Sequence, residues 1–295
     1  MRAILTLAAS IIGVVAAAGP REAAQGADPP RPSPARRALP LDNLGLEHLD
    51  IVVPDPAASA RFYARIFRTA LHEQPVRDTV RYFVLLGDLP PDRQVSYVAI
   101  GAAAPGRSPS IGHYCVLARV YDRAGMAAAL QQAGFPTIRG AGGLGMWPDP
   151  DGLELQLFQP PAGLVTAAVK SPLPVGGEGI VTPRGVDHVL LRVSSLERSL
   201  PYYRFVYGAA AERPRDAAGR VWFHLANDTR IGLQQAAAGQ GPAIEHFAIK
   251  VAPFDRGALD ARLRELGAKR LLSDDEPGVV RFLDNNGIVV ELVPS

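Results

Sequence analysis

The chain of 295 residues holds one cysteine, Cys115, so no intrachain disulfide can form whatever the redox state around it. An excess of one charge is also missing. The 31 basic and 29 acidic residues leave a formal charge of +2, and the basic residues are scattered apart from Arg36-Arg37. Neither a nucleic acid nor an anionic membrane is therefore indicated as a partner. No phosphate-cradling glycine loop is present, because AGGLG at residues 141–145 lacks the flanking strand and helix that such a loop needs. Ser194, Ser195 and Ser199 lack the strand-turn-helix context of a hydrolase nucleophile.

Long apolar runs are confined to the N-terminus. Met1-Arg2 is followed by an apolar stretch over residues 3–18 and by small residues suited to cleavage near 16–19 or 24–27. Residues 1–27 thus read as an export signal, rather short and alanine-rich for a lasting membrane span. The single Arg2 makes no twin-arginine signal, and the absence of a nearby cysteine argues against a lipid anchor. The expected location is periplasmic or secreted, with no stable membrane insertion after cleavage. Residues 28–43, containing PPRPSPARRALP, read as a disordered spacer, and 161–183, containing SPLPVGGEG, as a linker. Two domains follow, 44–160 and 184–295. A composition of 47% hydrophobic and 20% charged residues suits globular domains of that size.

What the chain does have is a repeat. Four of its six histidines open alternating apolar stretches: LEHLDIVV with His48, IGHYCVLARV with His113, VDHVLLRV with His188 and AIEHFAIKV with His246. His48 and His188 are 140 residues apart, and His113 and His246 are 133 apart, so one half duplicates the other. The offsets within the halves, 65 and 58 residues, divide each into two units. Side chains alternate along a strand, so Phe247, Ile249 and Val251 pack one way and His246 faces the other. Helical spacing after N-cap candidates predicts helices in DPAASARFYARIF, DRAGMAAALQQAGF, SLERSLPYYRFVYG and FDRGALDARLRELGA. RYFVLL, VSYVAI, VWFHLA and RIGLQQ read as strands. The turns DPDG and DNNG launch the last strand of each half, and four residues beyond the glycine stand Gln156 and Glu291.

These residues resemble the vicinal oxygen chelate superfamily, which includes glyoxalases, bleomycin- and fosfomycin-resistance proteins and type I extradiol ring-cleaving dioxygenases. The resemblance covers nearly the whole chain after about residue 44. It implies an α+β fold of four βαβββ units, paired into two tandem domains. Each domain is then a curled mixed sheet that forms a cup with helices outside. Carried over by position, it implies His188, His246 and Glu291 as ligands of a divalent metal in the second domain. Two histidines and a carboxylate suit iron or manganese in oxygen chemistry, and zinc or nickel in isomerase chemistry. The first domain offers the weaker set His48, His113 and Gln156, with Glu154 in reserve, because a neutral amide is a poorer ligand than a carboxylate. It is expected to be degenerate.

A small substrate that chelates through oxygen is implied. Glyoxalases of the superfamily add a carboxylate ligand where this chain has Gly232, with Gln234 as the nearest substitute, which favours an extradiol-type dioxygenase. The dioxygenases place a tyrosine about ten residues before the carboxylate, where this chain has Arg281. His224 is the remaining histidine of the second domain. The resemblance therefore implies His224 as acid or base and Arg281 as the binder of an anionic group. Two alternatives stay open: a glyoxalase-like lyase or isomerase, and a binding protein without catalysis whose cup is lined by Tyr202, Tyr203, Trp222 and Phe223.

Overall fold

The computed structural model describes residues 38–69, 71–76, 79–87, 96–137, 146–160, 172–173, 179–271 and 278–295. The export signal, most of the spacer, the AGGLG stretch and most of the linker lie outside the described residues. Residues 37–295 form one compact unit, and it contains both halves.

The first half runs β1 (Asn43–Val53), α1 (Pro56–Ile66), β2 (Leu71–Val76), β3 (Thr79–Leu86), β4 (Ser96–Ala102), β5 (Ser110–Ala118), α2 (Arg123–Gln132), β6 (Met146–Pro148) and β7 (Glu154–Phe158). A two-residue strand, β8 (Pro172–Leu173), lies within the expected linker and pairs with β2. The second half runs β9 (Thr182–Val193), α3 (Leu196–Tyr207), β10 (Val221–His224), β11 (Arg230–Gln235), β12 (Ala243–Ala252), α4 (Arg256–Glu265), β13 (Lys269–Leu271), β14 (Val280–Leu283) and β15 (Val289–Pro294).

Two mixed sheets result, ordered β6-β7-β5-β1-β4-β3-β2-β8 and β10-β11-β9-β12-β15-β14-β13. This is the α+β architecture of two tandem domains that the resemblance implied. The first and fourth units are complete βαβββ units. Among the described residues the second and third show two strands after the helix. In the third, a 3-10 turn at Ala209–Ala211 and a lone bridge from Glu212 to Phe223 stand in place of a full strand.

Each helix begins where a side chain takes over an unpaired backbone donor. Asp55, Asp122, Ser195 and Asp255 accept from the amide three residues on, at 2.9–3.2 Å. The alternation read in the strands is also the packing pattern: Phe247, Ile249 and Val251 are fully buried in a core that continues across both halves. Tyr202, Tyr203 and Phe223 belong to that core as well, at 0% exposure, so they do not line a cup. Tyr202 and Tyr203 stand on α3, and Tyr203 packs against Phe223 of β10.

In each half the two histidine strands lie side by side and antiparallel, β1 with β5 and β9 with β12. The last strand then runs parallel to the second of them, β7 beside β5 and β15 beside β12. The turn before that strand is built by an aspartate. Asp284 Oδ1 accepts from the Asn286 and Ile288 amides at 2.8 and 2.9 Å, and Gly287 takes the positive φ of 83° that the turn requires. Asp149 repeats this with Asp151 and Leu153.

Both turns dock on the opposite half. Tyr63 of α1 donates to Asp284 Oδ2, and Tyr203 of α3 donates to Asp149 Oδ2, each at 2.9 Å. Asn286 Nδ2 also bonds Ser59 Oγ at 2.6 Å, and Asp151 accepts from the Ser194 amide at 2.7 Å. A cavity of about 470 Å³ lies at the seam, lined from both halves by Glu154, Arg192, Glu245 and Val289 among others.

Candidate metal centre

Partners in a ladder project from the same face of a sheet. Reading across β10, β11, β9, β12, β15 and β14 gives one row: His224, Arg230, His188, Ala248, Glu291, Arg281. His246 stands in the next row, opposite Leu190. The small methyl of Ala248 leaves the space into which its neighbours converge.

There the three residues carried over as ligands meet. His188 Nε2 and His246 Nε2 are 3.2 Å apart, and Glu291 places Oε2 and Oε1 at 3.3 Å from them. All three side chains are buried, at 5%, 2% and 1% exposure. Polar groups so deep need partners, and each of these finds the other two.

A bulge supplies a residue that the alternation hides. The β9–β12 register shifts so that Asp187 and His188 together oppose Ala248, and both face the cup. Asp187 Oδ2 lies 2.7 Å from His188 Nδ1 and 2.5 Å from Arg230 Nη2. An imidazole that gives its Nδ1 proton to a carboxylate presents a bare lone pair at Nε2, which is the tautomer a metal requires. The signal was present in the sequence as an acid directly before the first histidine of each half, Glu47-His48 and Asp187-His188.

The electrostatics follow the packing. Burial opposes a charge on His188, but the Asp187 and Glu291 carboxylates outweigh it and raise its pKa. Burial, together with the nearby charges of His188 and Arg281, pushes His246 down to about 3 despite Glu291. Burial alone would raise Glu291; the histidines and Arg281 instead hold it well below the carboxylate range. A neutral imidazole beside an ionised carboxylate, with a second imidazole that can give up its proton, is a fitting donor set for a divalent cation.

The remaining expected residues lie around this centre. Arg281 does not stand free to take an anion, because cross-strand pairing lays its guanidinium on Glu291, with Nε 2.5 Å from Oε1. His224 is exposed at the rim, separated from His188 in the row by Arg230. Burial and the charges of Arg213 and Arg230 lower its pKa. Gly232 lies beneath the Trp222 indole, where an added Cβ would come within 2.7 Å of Trp222 and Leu190. Trp222 meets His188 edge-on at 5.0 Å, and Arg220 and Arg230 lie over its ring.

The first half repeats the geometry with other side chains. His48 Nε2 and His113 Nε2 are again 3.2 Å apart, and Glu47 Oε2 is 2.9 Å from His48 Nδ1 across an equivalent bulge. Its row reads Leu85, Tyr97, His48, Cys115, Gln156, Met146. Gln156 is buried at the place of Glu291, whereas Glu154 lines the seam cavity. Tyr97 stacks on His48 at 4.5 Å where the second half has Arg230.

Comparison with solved structures gives the same architecture. A catechol 2,3-dioxygenase aligns over 86% of this chain and 89% of its own, with a TM-score of 0.63 and 16% identity. Homoprotocatechuate 2,3-dioxygenase from Brevibacterium fuscum, in complex with 3,4-dihydroxyphenylacetate, aligns over 89% and 83% at a TM-score of 0.60 and 17% identity. The fold is that of the vicinal oxygen chelate proteins. A Mn(II)-bound glyoxalase from Novosphingobium aromaticivorans shares it too, over 86% and 83% at a TM-score of 0.58 and 17% identity. No family model and no curated protein matches the sequence.

Proposed function

We propose that the chain is an exported, divalent-metal-dependent dioxygenase of the extradiol type, acting on a small substrate that chelates through neighbouring oxygens. The observation that carries the reading is the convergence of His188, His246 and Glu291, with no further protein carboxylate at β11, where Gly232 lies under Trp222. A glyoxalase-like centre would want a ligand there. Three protein donors leave positions for a bidentate substrate and a further small molecule. Bound iron or manganese would supply the redox link between an electron-rich diol and dioxygen.

The protein groups have their own tasks. Asp187 holds His188 in the metal-binding tautomer and is itself held at about 2, because bonds from His188 and Arg230 outweigh its burial. Arg281 offsets the charge of Glu291. At the rim, burial and the charges of Arg213 and Arg230 lower the His224 pKa, which favours the neutral imidazole that could take a proton from an entering substrate hydroxyl. Trp222 forms an apolar wall beside His188, and the Arg220 and Arg230 guanidiniums over its ring are paired with Asp216 and Asp187.

Purified protein loaded anaerobically with iron(II) should consume oxygen with a member of a broad catechol panel, and Glu291→Ala should abolish it. Silence across the panel would refute the assignment. Turnover of a hemithioacetal with nickel or zinc, without oxygen uptake, would select the lyase reading. Protein recovered from the periplasm should begin between residues 17 and 28, as cleavage of the export signal requires.

A further inference from the structure

The cavity at the seam lies where the two copies of the repeat meet. Its aliphatic walls come in matched pairs: Ile111 of β5 with Ile244 of β12, and Leu153 with Ile288, each directly after the turn glycine of its half. Ile111, Ile244 and Ile288 are buried, at 7%, 8% and 6% exposure. With these residues alone the cavity would be an apolar slot of about 470 Å³, alike on both sides.

Charge breaks the match. Glu154, beside His113 in the ladder, stands where the second half has Val289 beside His246. Glu245 is the extra residue of the β12 bulge, and the corresponding bulge of β5 holds Gly112. Arg192 of β9 joins them in the lining, at a place that is Val52 in β1. Its guanidinium is already engaged: Nε donates to the Gly241 carbonyl at 2.9 Å, and Nη1 lies 3.5 Å from Glu245 Oε2. The second of these contacts makes no hydrogen bond, so Glu245 Oε2 is buried without a donor. Glu154 has no hydrogen bond or ion pair among the described residues. Two carboxylates and one guanidinium thus leave the cavity an excess negative charge, together with acceptors that lack donors. A buried acceptor left in that state costs free energy.

We infer that the seam cavity binds a small aliphatic amine in its ammonium form. An ammonium carries three donors and one positive charge, which meet the orphaned oxygen of Glu245 and the unpaired carboxylate of Glu154. Its hydrocarbon body lies between the paired aliphatic walls, where each methylene removed from water is stabilising. The volume also fits, because small-ligand cavities run from about 300 to 1,000 Å³ and combine apolar walls with a few polar groups. An alcohol of equal length lacks the charge, and a carboxylate would meet Glu154 with a like one. None of His188, His246 and Glu291 lines the cavity, so the site stands apart from the metal centre.

Isothermal titration of the full-length protein with n-hexylammonium chloride tests this. One saturable site per chain is expected, and it should persist in His246→Ala. 1-Hexanol and hexanoate should bind more weakly by about tenfold or more, the scale of one lost charge-assisted hydrogen bond. Glu154→Gln and Glu245→Gln should each weaken hexylammonium by a similar factor. No saturable binding, equal binding of 1-hexanol, loss of binding in His246→Ala or an unchanged constant in Glu154→Gln would overturn the site, and none of these bears on oxygen uptake with iron(II). The 1-hexanol comparison uses the unsubstituted protein and decides the matter even if a variant fails to fold.

Discussion

The phenol of Tyr63, on the first helix of the first half, donates to the carboxylate of Asp284, which shapes the turn ahead of Glu291 in the second half. Tyr203 and Asp149 make the reciprocal bond at the same 2.9 Å. Both tyrosines are fully buried, and burial raises the carboxyl pKa of both aspartates even though backbone amides and the phenols work against it.

Removing one hydroxyl leaves a buried carboxylate oxygen short of a donor. Tyr63→Phe should therefore cost about 1–3 kcal/mol of stability. It should also weaken cation binding by the second half, because Asp284 orders the strand that carries Glu291. Tyr203→Phe should cost about as much stability and spare that affinity. Urea denaturation and isothermal metal titration of the two variants check this pair of outcomes.

Asp187→Asn keeps the size of the side chain but weakens its hold on the His188 Nδ1 proton. A loss of about 10–100-fold in metal affinity is expected, with little change in fold. A titration curve superimposable on that of the unsubstituted protein would contradict the role given to Asp187.

Acid should act on both cups. His113 and His246 are pushed down by burial, to about 4 and about 3, from an ordinary value of 6.5. Below 6.5 the unfolded chain thus binds protons that these folded side chains refuse. Their contribution to the stability of metal-free protein is complete above 6.5 and falls as the pH drops through 4 towards 3. His188, raised, contributes in the opposite sense, and its proton competes with the cation for Nε2. The urea midpoint of chelator-treated protein should fall between pH 6.5 and 4, and metal affinity should weaken over the same range.

Arg281 sets a counter-charge beside Glu291. Arg281→Met, which copies Met146 of the first half, should tighten cation binding, by about tenfold or more. At an effective dielectric of about 20, a unit charge some 5 Å away is worth a few kcal/mol before solvent screening. Arg281 is 24% exposed, so part of that is lost to water. Equilibrium dialysis against a competing chelator measures it, and weaker binding would contradict the charge argument.

Much of this was legible from parity and repetition. The four histidine strands, the four capped helices and the count from Gly287 to Glu291 each follow from a local period or turn rule, and the structure places them accordingly. What was hidden depends on pairing between strands. Period two puts Asp187 on the face opposite His188, and only the bulge against Ala248 turns it round. Arg281 reads as a free anion binder until β14 pairs with β15 and lays it on Glu291. Cys115 counts in the sequence only as the absence of a disulfide; its place across from His48 is a matter of register. Tyr202, Tyr203 and Phe223 could line a cup but at such spacings are more often core, and the side of the sheet on which α3 packs makes them core.

The crossed tyrosine bonds also bear on how such a chain can evolve. After a duplication, one copy is ordinarily free to drift until it vanishes. Here the first copy carries the Gln156 amide where the second carries the Glu291 acid, yet it supplies the hydroxyl on which the other copy's turn rests. It can change its chemistry but cannot be deleted, and a gene shortened to the second copy alone should yield protein unable to hold its metal.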